Sequence, residues 1–136
     1  MKKIIILLLF IITSIGIYSQ SSYDQYKNIY RSYGWYIGNE QYADLVQGSA
    51  AYTYMNFYSG YQYAIVACSN DNDVTDVDSF VYLSDGSLFM KDNDASRISI
   101  ISFNCTWSQQ VKIVIKNYAS RTPNYASRIR YFIAYR

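Results

Sequence analysis

GYQYAIVACSNDNDVTDVDSFVYLSDGSLFMKDND, residues 60–94, decides the fold class. Tyr61, Tyr63, Ile65 and Ala67 alternate with Gln62, Ala64, Val66 and Cys68, the two-residue period of a strand. An acidic turn follows over 69–77. Residues 79–83 are β-rich, and Ser84-Asp85-Gly86-Ser87 reads as a turn with Gly86 available for a positive φ. Leu88-Phe89-Met90 makes another short strand, ending at Asp92-Asn93-Asp94. Strands joined by connections this short leave no room for crossover helices, which excludes a parallel α/β sheet.

The same spacing continues on both sides. Residues 49–58, SAAYTYMNFY, put Tyr52, Tyr54, Asn56 and Tyr58 on one face and Ala51, Thr53, Met55 and Phe57 on the other. Both faces are bulky, so polarity does not choose the inward one. Ser59-Gly60 predicts a turn between two antiparallel strands. Residues 97–105 and 111–116 read as strands, and Pro123 fits a hairpin turn before a last strand over 125–135. That strand carries Ile129, Tyr131 and Ile133 on one face, with Arg128 and Arg130 on the other. Seven to eight antiparallel strands with turns every eight to twelve residues predict an all-β sandwich or jelly roll.

Upstream the period changes. Tyr23, Tyr26, Tyr30 and Tyr33 recur at three and four, predicting a short N-terminal helix over 22–33 capped by Ser22 and stopped at Gly34. Residues 39–46 read either as a helical turn or as an irregular approach. Residues 1–19 have the three-part shape of a secretory signal peptide: a basic start at Lys2-Lys3, an apolar run over 4–12, and a small residue for cleavage before Gln20. The run is short for a membrane span of about 20 residues. The expected organisation is a signal peptide at 1–19, a helical segment at 20–46 and a sandwich domain at 47–136, in a secreted or periplasmic protein with no stable membrane anchor after cleavage.

The chain has 12 Lys and Arg against 10 Asp and Glu, and removing Lys2 and Lys3 leaves ten of each. Charge is segregated, acidic over 71–94 and wholly basic beyond. Export argues against nucleic acid as the partner of that basic part. There is no histidine, which removes His-based general base catalysis, Ser-His-Asp and Cys-His arrangements and His-ligated zinc. A pair of Asp carboxylates of glycosidase type stays open. Cys68 and Cys105 are the two cysteines, and an oxidising compartment favours a bridge between them. The other reading is two buried thiols on neighbouring strands.

Residues 71–78, DNDVTDVD, concentrate like charges that a folded loop tolerates only with solvent or a cation. Oxygen ligands of this kind suit Ca²⁺. A site built across loops would take Asp71, Asp73, Asp76 and Asp78 from this turn, with Asp92 and Asp94 from the next. The spacing is not an EF-hand, and the plainer alternative is hydrated turn residues.

Tyr61-x-Tyr63-x-Ile65-x-Ala67, the acidic turn, Asp76-x-Asp78, Phe80-x-Tyr82, Asp85-Gly86, Asp92 and the late strand Lys112-Ile113-Val114-Ile115 follow one another in the order found in bacterial pre-peptidase C-terminal domains. The chain resembles that family over about residues 47–135. It departs from the pattern where the family's Gly-x-Tyr stands, here Gln109-Gln110-Val111. The resemblance implies a β-sandwich of secreted proteins, Ca²⁺ binding in some members, and Asp76 and Asp78 as acids at a strand entry.

Tyrosine is the other marked feature, seventeen in all. Tyr supplies rigid amphipathic contact area on sugar- or protein-binding faces, and it also favours strands in its own right. Together these features predict a secreted, non-catalytic binding module for a protein or polysaccharide surface, with Ca²⁺ as a candidate stabilising ion. The alternatives are a small hydrolase using Asp carboxylates and a structural subunit of an envelope assembly.

Overall fold

A computed structural model describes residues 21–136. The signal-peptide reading of residues 1–19 lies outside the described residues. One helix and eight strands follow in order: α1 (Ser22–Ser32), β1 (Tyr36–Leu45), β2 (Ala50–Phe57), β3 (Gln62–Ser69), β4 (Val74–Tyr82), β5 (Leu88–Asp92), β6 (Ile98–Asn104), β7 (Gln109–Ser120) and β8 (Ser127–Tyr135). They build two four-stranded sheets, ordered β1-β8-β3-β6 and β2-β7-β4-β5, with every pairing antiparallel. The pairs β1·β8, β2·β7, β3·β6 and β4·β5 nest around the β4–β5 turn, which is the winding of a jelly roll. The expected all-β sandwich is therefore what the chain forms.

The winding corrects two expected hairpins. β2 and β3 lie in different sheets, so the Ser59-Gly60 turn arches across the sandwich. β7 and β8 are likewise in different sheets, so the Pro123 loop also crosses. Only the Ser84–Gly86 turn closes a hairpin as expected, between β4 and β5. Turn chemistry reports a local reversal but not which sheet receives the next strand.

The core lies between the sheets. Phe57, Val77, Val81, Ile113, Ile115 and Ile129 are fully or almost fully buried there, with Tyr63, Ile65 and Ala67 from β3. β3 is buried on both faces. Its other parity, Ala64, Val66 and Cys68, joins Phe132 and Ala134 of β8 in a second cluster that α1 covers with Tyr23, Tyr26 and Tyr30. This is the predicted helical stripe without Tyr33, which is exposed. The cap is Ser21, one residue earlier than expected: its Oγ accepts the Asp24 N–H at 3.3 Å and its hydroxyl donates to Asp24 Oδ2 at 2.6 Å.

The expected helical segment over 20–46 ends at Ser32. Residues 36–45 form β1, the strand beside β8, so the boundary drawn at residue 47 falls inside the sandwich. A register shift between Gly38 and Glu40, with Asn39 at φ 33°, breaks the two-residue alternation that would have revealed this strand.

Cys68 and Cys105 are unbonded and buried, which overturns the expected bridge. Cys68 pairs with Ile98 at one end of the β3–β6 ladder, while Cys105 follows Asn104 at the other end, opposite Gln62. Seven strand residues separate the two sites, on the order of 20 Å at about 3.3 Å per residue. They also serve different clusters, Cys68 under the helix and Cys105 in the inter-sheet core.

Candidate functional site

Of the six aspartates expected to hold an ion, four have carboxylates engaged by backbone amides. Asp71 Oδ1 accepts the Asp73 N–H at 2.9 Å. Asp73 Oδ1 accepts the Thr122 N–H at 2.9 Å, tying the acidic turn to the β7–β8 loop. Asp76 Oδ1 accepts the Ser96 N–H at 3.3 Å. Asp92 accepts from Asp94 N at 3.2 Å through Oδ1 and from Ile100 N at 2.7 Å through Oδ2. Asp78 is buried in β4, and Asp94 offers its carbonyl to Ser96 N. Among the described residues, no three Cys, Asp or Glu side chains are placed to hold a metal ion. Backbone amides answer four of these carboxylates, a third way of tolerating the charge beside solvent and a cation.

The two sheets differ in what lies outside them. α1 covers the outer face of β1-β8-β3-β6. Among the described residues, no element covers the outer face of β2-β7-β4-β5, and that face is aromatic. Cross-strand register builds two rows on it. One runs Tyr52–Val114–Phe80–Lys91 and the other Tyr54–Lys112–Tyr82–Leu88. Tyr52 is 64% exposed, Tyr54 56% and Tyr118 55%. Alternation explains the placement. Thr53, Met55 and Phe57 turn inward with Val111 and Ile113, which leaves the even-numbered tyrosines of β2 in water.

The rings hold one another. Tyr52 and Tyr54 meet edge to face at 5.8 Å, and Phe80 stacks on Tyr82 at 6.5 Å. The Lys112 ammonium sits 4.5 Å from the centre of the Tyr52 ring, and Lys116 sits 5.4 Å from that of Tyr118. An open cleft of about 410 Å³ lies on this face, lined by Tyr54, Tyr82, Ser84, Gly86, Gln110 and Lys112. A second cleft, about 480 Å³, opens at the seam between β1 and β2 against Tyr58, Tyr61 and Tyr135.

A third cleft brings two carboxylates near two guanidiniums: Asp44, Asp71, Arg128 and Arg130. A glycosidase pair needs one carboxyl raised so that it can donate a proton. Here Arg128 holds Asp44 bidentately at 2.8 and 3.0 Å, and this keeps its carboxyl below the usual range. Asp71 is engaged by the Asp73 amide. The cleft is an ion-paired surface.

The tyrosine alternation in residues 49–58 pointed at half of the aromatic face. Phe80, Tyr82 and Lys112 join it only through strand pairing. No family model matches the chain, and no curated protein matches it. Among the described residues, no helix is long and apolar enough to cross a membrane.

Proposed function

We propose that the chain is an exported, non-catalytic binding module that holds a polysaccharide on the outer face of its β2-β7-β4-β5 sheet. The observation that carries this is the asymmetry of the sandwich. A helix covers one outer face, while the other presents Tyr52, Tyr54 and Tyr118 to water beside Lys112 and Lys116. Tyrosine loses little conformational freedom on binding, and its ring offers a flat apolar surface with a hydrogen-bonding tip. A sugar ring has the complementary form, a flat C–H face edged by hydroxyls. The composition of residues 1–19 supports a secreted or periplasmic location, and the resemblance to pre-peptidase C-terminal domains belongs to the same proposal.

The test is retention of the mature protein on a panel of insoluble polysaccharides, with affinity measured for any that retain it. Two stacking rings contribute about 0.5–1.5 kcal/mol each, so the double variant Tyr52→Ala/Tyr54→Ala is expected to weaken binding by about 5- to 150-fold. Tyr33→Ala, on the helix side, is expected to bind as the parent does. Equal binding by the double variant would remove this face from the site. A parent retained by none of the panel would leave an envelope protein as the ligand of a non-catalytic module.

A further inference from the structure

The sandwich has four edge strands, β1 and β6 in one sheet and β2 and β5 in the other. Edges offer unpaired N–H and C=O groups, and proteins blunt them with charge, proline, bulges or short length. Three edges here are protected. β1 carries Glu40 and Asp44 and a register shift at Gly38/Glu40. β5 is five residues long, includes Lys91 and Asp92, and pairs through a shift at Val81/Tyr82. On β6, the Asp92 carboxylate takes the Ile100 N–H at 2.7 Å.

β2 has none of these devices. It runs eight residues with no proline, no charge and no shift in its pairing to β7. The sequence from Leu45 to Asn70 contains no charged residue. Its free backbone groups can be assigned. Asn117 N donates to Ser49 O, which makes 49 and 117 a hydrogen-bonded pair. Alternation then points residues 51, 53 and 55 at β7, and turns the N–H and C=O of Ala50, Tyr52, Tyr54 and Asn56 outward. No hydrogen bond among the described residues uses them. β1 approaches only by side chains, Asn39 Nδ2 at 3.1 Å from Met55 Sδ and Gln41 Nε2 at 3.4 Å from Thr53 Oγ1.

We propose that this edge pairs with the β2 edge of a second copy of the chain, antiparallel about a twofold axis at Thr53, joining two four-stranded sheets into one of eight. The occupant follows from self-complementarity. In this register Ala50 meets Asn56 of the second copy and Tyr52 meets its Tyr54. Every outward N–H and C=O then finds a partner, about eight hydrogen bonds at two per pair. No like charges meet, because the strand has none. Ala51, Thr53 and Met55, half-buried at the margin of the core, gain cover from their symmetry mates. Dimerisation is independent of any polysaccharide and is measured without one.

Sedimentation equilibrium of the mature protein is expected to show a concentration-dependent dimer. Thr53→Cys places two thiols across the axis at a Cα separation of about 4.5 Å, within disulfide range, so it is expected to oxidise to a covalent dimer. Cys68 and Cys105 are buried and do not compete. The double variant Ala50→Asp/Asn56→Asp changes two exposed positions and sets carboxylate opposite carboxylate at both ends of the pair. Its dimer dissociation constant is expected to rise at least tenfold, with an unchanged circular dichroism spectrum. A parent monomeric up to millimolar concentration would overturn the proposal. So would a dimer that the Asp pair leaves intact, or a monomer that instead takes up a strand-forming peptide.

Discussion

Asp78 lies directly opposite Lys116 in the β4–β7 ladder, yet the two do not form an ion pair. The Lys116 ammonium leans over the Tyr118 ring at 5.4 Å, while Asp78 is 4% exposed and its Oδ1 is buried without a hydrogen-bond partner. A carboxylate held this way in an exposed-face strand is a local strain on stability.

Burial, reinforced by the Asp76 carboxylate, raises the Asp78 carboxyl above its ordinary value, and Lys116 offsets part of the effect. The folded state therefore binds this proton more tightly than the unfolded state does. The group favours folding below its unfolded value of 3.8, and that contribution is lost as pH rises through the folded value. Asp78→Asn is expected to raise stability at pH 7 by about 1 kcal/mol, a gain that shrinks as pH falls toward 4. Denaturant titrations of both proteins across that range measure it. A gain that does not change with pH would trace to packing and not to ionisation.

The thiols give a second prediction. Reducing agent is expected to leave the unfolding temperature unchanged, because no bridge links Cys68 and Cys105. Burial pushes the Cys68 thiol up to about 11, which slows its reaction further. A thiol reagent is expected to titrate two groups in denaturant and to react slowly in the native state. Destabilisation on reduction would contradict the separation across the β3–β6 ladder.

Phe132 pins the helix to its sheet. It is fully buried, and the rings of Tyr23 and Tyr30 meet it edge-on at 5.6 and 5.8 Å. Phe132→Ala is expected to cost about 3–5 kcal/mol, as for other buried phenylalanines. Amide exchange in α1 is expected to quicken most, since the helix is held mainly by this cluster. Exchange quickening equally in β2 and β7 would show that the helix and the far sheet unfold as one unit.

Calcium offers a fourth test. Backbone amides already occupy Asp71, Asp73, Asp76 and Asp92, so EDTA followed by millimolar Ca²⁺ is expected to move the unfolding temperature by less than about 1 °C. An ion at 100 times its dissociation constant would add about 2.7 kcal/mol, a shift of several degrees. A shift of that size would mean that the loops rearrange around the ion.

Much of the architecture was legible in the chain. The alternation in residues 60–94 and 97–116 marked strands, the tyrosines at three and four marked α1, and short connections marked an antiparallel sandwich. β1 was not legible, because the bulge at Asn39 shifts its alternation by one. Half of the aromatic face was visible as Tyr52 and Tyr54 on one parity. Its orientation was not, since Met55 and Phe57 on the other parity are also large and polarity does not separate the two faces.

Local properties of the chain determined where strands and turns begin, since side-chain period and backbone preference act over a few residues. Pairing decided the rest. Whether Ser59-Gly60 closes a hairpin or arches between sheets depends on which strands bury the most apolar surface together, as does the end of the ladder that each cysteine occupies. The fate of the acidic turns depended on amides brought in from Thr122, Ser96 and Ile100, residues 8 to 49 positions away in sequence. A charge cluster looks uncompensated until the fold delivers its donors.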